Sequence, residues 1–161
     1  MHSNLRSATP PGTVLKLNHA IHVDRDPDWV FRELHDPKKM LSCVPGASLT
    51  RALDADTFAA RVALGIGPMK LAYTGSARVT RIDRRARSAA VDIEGSGETG
   101  AGRAKASIAV RPTDTSCVVY VSVLLTLEQS PTWLGSDLVY RVASTLLRRS
   151  CESLKQQLEA A

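Results

Sequence analysis

Residues 94–105 read Glu-Gly-Ser-Gly-Glu-Thr-Gly-Ala-Gly-Arg-Ala-Lys, and Gly95, Gly97 and Gly100 within them spell G-x-G-x-x-G. That spacing cradles a dinucleotide pyrophosphate only when a strand enters it and a helix leaves it, so that helix N-terminal amides face the phosphates. A strand does enter, because Ala89, Val91 and Ile93 alternate with Ala90, Asp92 and Glu94. No helix leaves. Ala104, Ala106, Ile108 and Val110 recur at every second residue, which is the strand period, and Pro112 closes the run. The acid that would bind the ribose is expected about 20 residues further on, and Asp114 comes too early. The stretch therefore reads as a glycine-rich connection between two strands, and the chain as something other than a dinucleotide enzyme.

Working outward, the segments on both sides have the same period. Phe58, Ala60, Val62, Leu64 and Ile66 alternate up to Gly67-Pro68, and Met69, Leu71, Tyr73, Ala77 and Val79 alternate after it. Asp83-Arg-Arg-Ala-Arg87 reads as an exposed turn, Cys117 to Leu127 as the most apolar strand, and residues 48–54 as a further one. Near the start, Leu15, Leu17, His19, Ile21 and Val23 share one face of a half-buried strand. Asp26-Pro27 and Asp36-Pro37 each place an N-cap acid before a proline at the first helical position, which predicts two short helices, the second from Lys38 to about Cys43. From Ser130 the period changes to that of a helix, with Val139, Val142, Leu146, Ser150, Leu154 and Leu158 on one stripe to the end. Residues 1–13 are polar with two prolines and are expected to be disordered, and 14–161 form a single domain. Strand, two short helices, about six antiparallel strands and one long helix belong to the α+β class, with helices gathered on one side of a sheet.

Composition limits the partners. Lys and Arg total 21 against 16 Asp and Glu, a mild basic excess that suits an acidic protein or anionic lipid heads. Only seven aromatic residues are present and they are not interleaved with the basic ones, which speaks against nucleic acid. The three cysteines, Cys43, Cys117 and Cys151, are odd in number and widely spaced, so they read as free thiols in a reducing, cytoplasmic compartment. The first residues contain no apolar signal segment, and the longest uncharged run, Thr115 to Leu127, has 13 residues and is too short to span a bilayer.

Several stretches resemble the CoxG family of carbon monoxide dehydrogenase subunits, within the START-like, helix-grip superfamily. They are Phe31-Arg-Glu-Leu34-His-Asp36-Pro37 with Met40-Leu41 and Cys43-Val44-Pro45-Gly46-Ala47, then Leu64-Gly-Ile-Gly-Pro68-Met-Lys70, Gly75, the glycine stretch running into Ala104-Lys105, and Trp133-Leu134-Gly135-Ser136. The resemblance covers nearly all of the chain after residue 14. It implies a seven-stranded curved antiparallel sheet gripping the C-terminal helix, with an apolar cavity between them. It also implies a carrier or handler of a hydrophobic small molecule (a quinone, isoprenoid or lipid), linked to molybdenum-dependent carbon monoxide dehydrogenases and the membrane. The chain departs from the family pattern in two places. His19 occupies a strand position where a small residue is expected, and the sequence ends at Ala161 without the extension carried by members proposed to reach the membrane.

Within that frame the expected cavity wall is Phe58, Val62, Leu64, Met69, Leu71, Tyr73 and Val121, with Leu138, Val142 and Leu146 as its lid. His19 points inward by alternation, where an imidazole serves either as a ligand hydrogen-bond partner or as a satisfied core residue. His19 or Tyr73 would be the proton-transfer group if the chain were instead a small cyclase- or dehydratase-like enzyme, since such activities recur in the superfamily. Trp133 and Leu134, at the start of the last helix, form an apolar docking patch at the pocket mouth if exposed there and ordinary core if buried. Arg78, Arg81, Arg84, Arg85 and Arg87 form the densest basic cluster, a solvated turn or a docking face for a redox enzyme or membrane surface. His35 and Cys43 flank the short helices without further ligands in view, so neither a metal nor a cofactor is expected.

Overall fold

In the computed structural model, which describes residues 13–66, 68–98, 100–128 and 135–161, ten elements follow one another. They are β1 (Thr13–Val23), α1 (Pro27–Glu33), α2 (Pro37–Ser42), β2 (Ala47–Ala52), β3 (Thr57–Ile66), β4 (Met69–Asp83), β5 (Ser88–Gly97), β6 (Gly100–Pro112), β7 (Cys117–Leu127) and α3 (Ser136–Ala160). The strands make one antiparallel sheet ordered β1-β7-β6-β5-β4-β3-β2. Every strand from β2 to β7 lies beside its sequence neighbour, and β1 closes the far edge against β7. This is the helix-grip architecture. Of the segment 1–13 expected to be disordered, residues 1–12 lie outside the described residues and Thr13 already belongs to β1.

The two short helices form where the acid–proline pairs predict. The Asp26 carboxylate accepts from the Trp29 amide at 3.0 Å with Pro27 at the first helical position, and Asp36 accepts from the amides of Lys38 and Lys39 at 3.0 and 3.4 Å ahead of Pro37. Each acid satisfies amides that have no partner within so short a helix. α1 buries Val30 and Phe31, and this holds it on the sheet.

The glycine stretch carries β5 into β6 as a hairpin, with Gly97 opposite Gly100, whose φ of +128° is a conformation open mainly to glycine. Gly75, Gly95 and Gly102 stand in register across β4, β5 and β6. At Gly75 a Cβ would lie 1.9 Å from the Glu94 carbonyl oxygen, so a side chain cannot be accommodated where the sheet bends onto itself. The residues that mimic a phosphate loop thus provide curvature, and the hairpin continues as strand on both sides.

The shared core of helix and sheet gathers toward the C-terminal half of α3. Cys151, Leu154 and Leu158 of α3 join a cluster with Ile21, Val23, Val30, Phe31, Cys43, Val110, Cys117, Val119 and Val121. Among the described residues α3 meets the sheet chiefly through β1. Polar contacts fix the same end. Lys155 Nζ donates to the His22 carbonyl and to Glu159 Oε2 at 3.1 Å, the Asp24 amide donates to Glu159 Oε2 at 2.9 Å, and Arg25 Nη2 donates to the Glu159 carbonyl. That last contact caps a carbonyl at the negative end of the helix dipole. Toward its N-terminus Val139 is buried, while Leu138, Val142 and Leu146 stay half-buried. Several concave strand positions are small (Ala60, Gly75, Ala77, Gly95, Ala104 and Ala106), among the larger Phe58, Val62, Tyr73 and Ile93.

Gly75→Ala is therefore expected to cost about 3 kcal/mol or more, because backbone must move to admit the methyl group. Gly65→Ala, where nothing lies within 4 Å of the added Cβ, should stay within about 1 kcal/mol of the parent. Urea denaturation of the two variants checks the pair.

Candidate functional site

Residues in register across an antiparallel sheet project from the same face, so pairing identifies the interior side chains. On β1, His19 lies between Leu17 and Ile21 and opposite Val121, which is opposite Ile108 on β6. It is half-buried, and among the described residues no hydrogen-bond partner reaches it. Tyr73 is opposite Val62 on one side and Gly97 on the other, and a Cβ at Gly97 would come 3.0 Å from Tyr73 Cδ1. The ring thus covers the hairpin glycine and forms part of the interior wall. One row further along, Phe58, Ala77, Ile93 and Ala104 line up across β3, β4, β5 and β6. Ile93 faces inward and is still 39% exposed. An apolar side chain on the concave face keeps that exposure only where neither helix nor neighbours cover it.

Two recesses open from this interior. A cleft of about 450 Å³ separates Pro45, Gly46, Ala63, Leu64 and Gly65 from Leu138, Arg141, Val142, Thr145, Leu146 and Arg149 on α3. A smaller pocket of about 130 Å³ lies beneath the short helices, between Phe31, Leu34 and Met40 and the sheet residues Phe58, Val79, Ile82, Ala89, Val91, Ala106 and Ile108. Of the residues expected to line one cavity, Leu64, Leu138, Val142 and Leu146 meet at the cleft, while Phe58 belongs to the pocket. Leu71 is buried opposite Leu64, and Val121 belongs to the core cluster. Val62 and Tyr73 sit side by side between the two regions. The Met69 side chain, Trp133 and Leu134 lie outside the described residues. Arg141, Thr145 and Arg149 were not among the expected site residues, though their spacing of four along α3, next to Leu138, Val142 and Leu146 at the same spacing, is a signal the sequence carries.

The basic turn is partly occupied. Arg87, at φ +51°, donates from Nε to Asp28 Oδ1 at 2.6 Å, tying the β4–β5 turn to the first turn of α1. The hydrogen bond holds the Asp28 carboxyl below its usual range and the guanidinium above its own. Arg81 donates to Ser88 Oγ at 3.0 Å, and Arg78, Arg84 and Arg85 are exposed.

The remaining candidates serve structure. His35 Nδ1 donates to the Phe31 carbonyl at 2.6 Å with its ring edge-on to Phe31, and His22 Nε2 shares a 2.6 Å hydrogen bond with Ser116 Oγ. Cys43, Cys117 and Cys151 are buried, and burial pushes all three thiols up, Cys151 to about 11. Such thiols are protonated and weakly nucleophilic at neutral pH. Among the described residues no group of three or more His, Cys, Asp or Glu is placed to hold a metal ion, and no helix is long and apolar enough to cross a membrane.

The same architecture recurs in known proteins. A family model described as the carbon monoxide dehydrogenase CoxG subunit matches residues 20–159. A conserved protein from Geobacillus kaustophilus superposes with a TM-score of 0.75 at 21% identity, over 89% of this chain and 95% of that one. Norcoclaurine synthase from Thalictrum flavum, in truncated form, gives 0.64 at 16% identity over 92% and 96%, and an aromatase/cyclase from a Streptomyces species gives 0.67 at 10% over 91% and 94%. No curated protein sequence matches. At these identities the structures share the fold alone.

The thiols yield a pH prediction. A thiol whose folded pKa lies above its unfolded value leaves the folded state with the more protons in the interval between them, so stability falls as pH rises there. Full stability is expected below pH 9.0, with loss as the pH climbs from 9.0 toward about 11 for Cys151. Urea midpoints across that range check it, and Cys151→Ser should flatten the slope.

Proposed function

The chain belongs to the CoxG family of carbon monoxide dehydrogenase subunits, and from that premise we propose that it binds a hydrophobic small molecule in the space between α3 and the concave face of the sheet. The observation that carries this reading is Ile93, an inward apolar side chain at the middle of the sheet that is 39% exposed over a floor of alanine and glycine. Water against such a surface is displaced favourably by an apolar ligand, at about 25 cal/mol per Å² covered. A ligand seated there reaches the cleft through Leu64, Val142 and Leu146, with His19 and Tyr73 as the polar groups that orient its head. The family points to a quinone, an isoprenoid or a lipid as the ligand, and to a carbon monoxide dehydrogenase-type redox enzyme as the protein served. The exposed Arg84 and Arg85 suit an acidic face on such a partner or an anionic membrane surface.

A second reading is supported by His19, an imidazole on an apolar interior face with no partner among the described residues. An enzyme of cyclase or dehydratase type would use it, or Tyr73, to move a proton. The fold hosts both kinds of function and does not choose between them.

Binding of decylubiquinone, followed by native mass spectrometry and calorimetry, tests the carrier reading. Ala104→Trp places an indole beside Ile93 and is expected to weaken binding at least tenfold while the protein stays folded by circular dichroism. Leu154→Ala, in the helix anchor, is expected to cost about 2–5 kcal/mol of stability and leave the affinity of the folded protein little changed. Undiminished affinity in Ala104→Trp would contradict the proposed location. His19→Ala should lower affinity modestly in a carrier, whereas loss of turnover with binding intact would favour the enzyme.

A further inference from the structure

Two rows of side chains run along the flank of α3 that faces the cleft. Leu138, Val142 and Leu146 make one, and Arg141, Thr145 and Arg149 make the other. Both rows step by four residues, so they lie side by side, and each extends about 12 Å along the helix axis. Among the described residues the cleft lining contains two guanidiniums and no carboxylate.

Elsewhere on the same helix the described cations are paired. Arg148 meets Glu152 at 3.8 Å and Lys155 meets Glu159 at 3.1 Å, each at the i,i+4 spacing. Arg141 and Arg149 have no ion-pair partner among the described residues. Thr145 stands four residues from both, and although Asp137 lies four residues before Arg141 and Glu152 three beyond Arg149, neither acid comes within ion-pair distance of them. Two exposed guanidiniums flanking a hydroxyl thus stand beside an apolar groove, where one anion can accept from both.

Building on the reading that this space admits an apolar ligand, we propose that the cleft takes a single-chain amphiphile with an anionic head, a carboxylate or a phosphate. Its chain lies along Leu138, Val142 and Leu146 and against Leu64 on β3. The head sits on the second row, accepting charge-assisted hydrogen bonds from Arg141 and Arg149 and a further one from the Thr145 hydroxyl. The charged row then selects among ligands of equal apolar content, favouring the acid over the neutral compound.

The full chain is titrated with decanoate, decyl phosphate and decanol, three probes sharing one chain length. The two acids are expected to bind about tenfold more tightly than the alcohol, and added salt should erode that advantage. The double substitution Arg141→Gln with Arg149→Gln should abolish the preference for acid over alcohol. Equal affinities in the parent, or a preference that survives the double substitution, would overturn the proposal while leaving the apolar site standing. Failure of all three probes to bind would overturn the apolar site and this inference together. Sedimentation with phosphatidylglycerol and phosphatidylcholine vesicles separates the remaining source of anions. If the double variant loses only its vesicle binding and keeps its preference for decanoate, the arginines read bilayer headgroups and the proposal is wrong.

Discussion

The last two turns of α3 are wedged into the core, and the empty space in this protein depends on that attachment. Cys151, Leu154 and Leu158 pack among Val23, Val30, Phe31, Val119 and their neighbours, and each fully buried leucine is worth about 2 kcal/mol. The polar clasp around Glu159 holds the same turns to Asp24, Arg25 and the end of β1. Toward its N-terminus the helix buries Val139 but leaves Leu138, Val142 and Leu146 half-buried along a cleft. Had the apolar stripe been large along its whole length and the strands below it filled with Leu and Phe, the two layers would have closed at native packing density. Instead the concave face carries alanine or glycine at 60, 75, 77, 95, 104 and 106.

The same small residues set the curvature and the volume together. Glycine at 75 permits backbone contact that no side chain survives, which bends the middle of the sheet, and alanines at 60, 77, 104 and 106 deepen the floor where it bends. Ile93 is left uncovered as a consequence. The short helices complete the anchored end by capping chemistry and by burying Val30 and Phe31, and the Asp28–Arg87 pair ties that end to the β4–β5 turn. Core and cavity are thus divided along the length of one helix. Substitutions at its two ends are expected to act on stability and on binding separately.

Much of this was legible in the sequence, because the signals were local. Strict alternation marked the strands, Asp-Pro twice marked the helix starts, and the strand period after Gly100 excluded the dinucleotide motif. Period put Leu138, Val142 and Leu146 on one side of the helix, but only the fold sets them across a cleft from Leu64. What stayed hidden depends on contacts between distant segments. That Gly75, Gly95 and Gly102 align is a fact of register across three strands. That Val121 and Leu71 are buried while Ile93 is not follows from where α3 lies and not from their own period. Arg87 reads as one more cation of an exposed cluster until the fold brings Asp28 to it. Arg141 and Arg149 were visible as residues, but their significance depends on which flank of the helix meets β3.

Site-resolved amide hydrogen exchange along α3, with and without decylubiquinone, tests most directly whether the helix is held at one end over a ligand space. Slow exchange is predicted for residues 150–160 in both states. For residues 138–147, faster exchange is predicted in the free protein, with clear slowing when ligand fills the space beneath them. Uniform protection along the whole helix, unchanged by ligand, would mean that the two layers are closed throughout, and would contradict a helix anchored at one end.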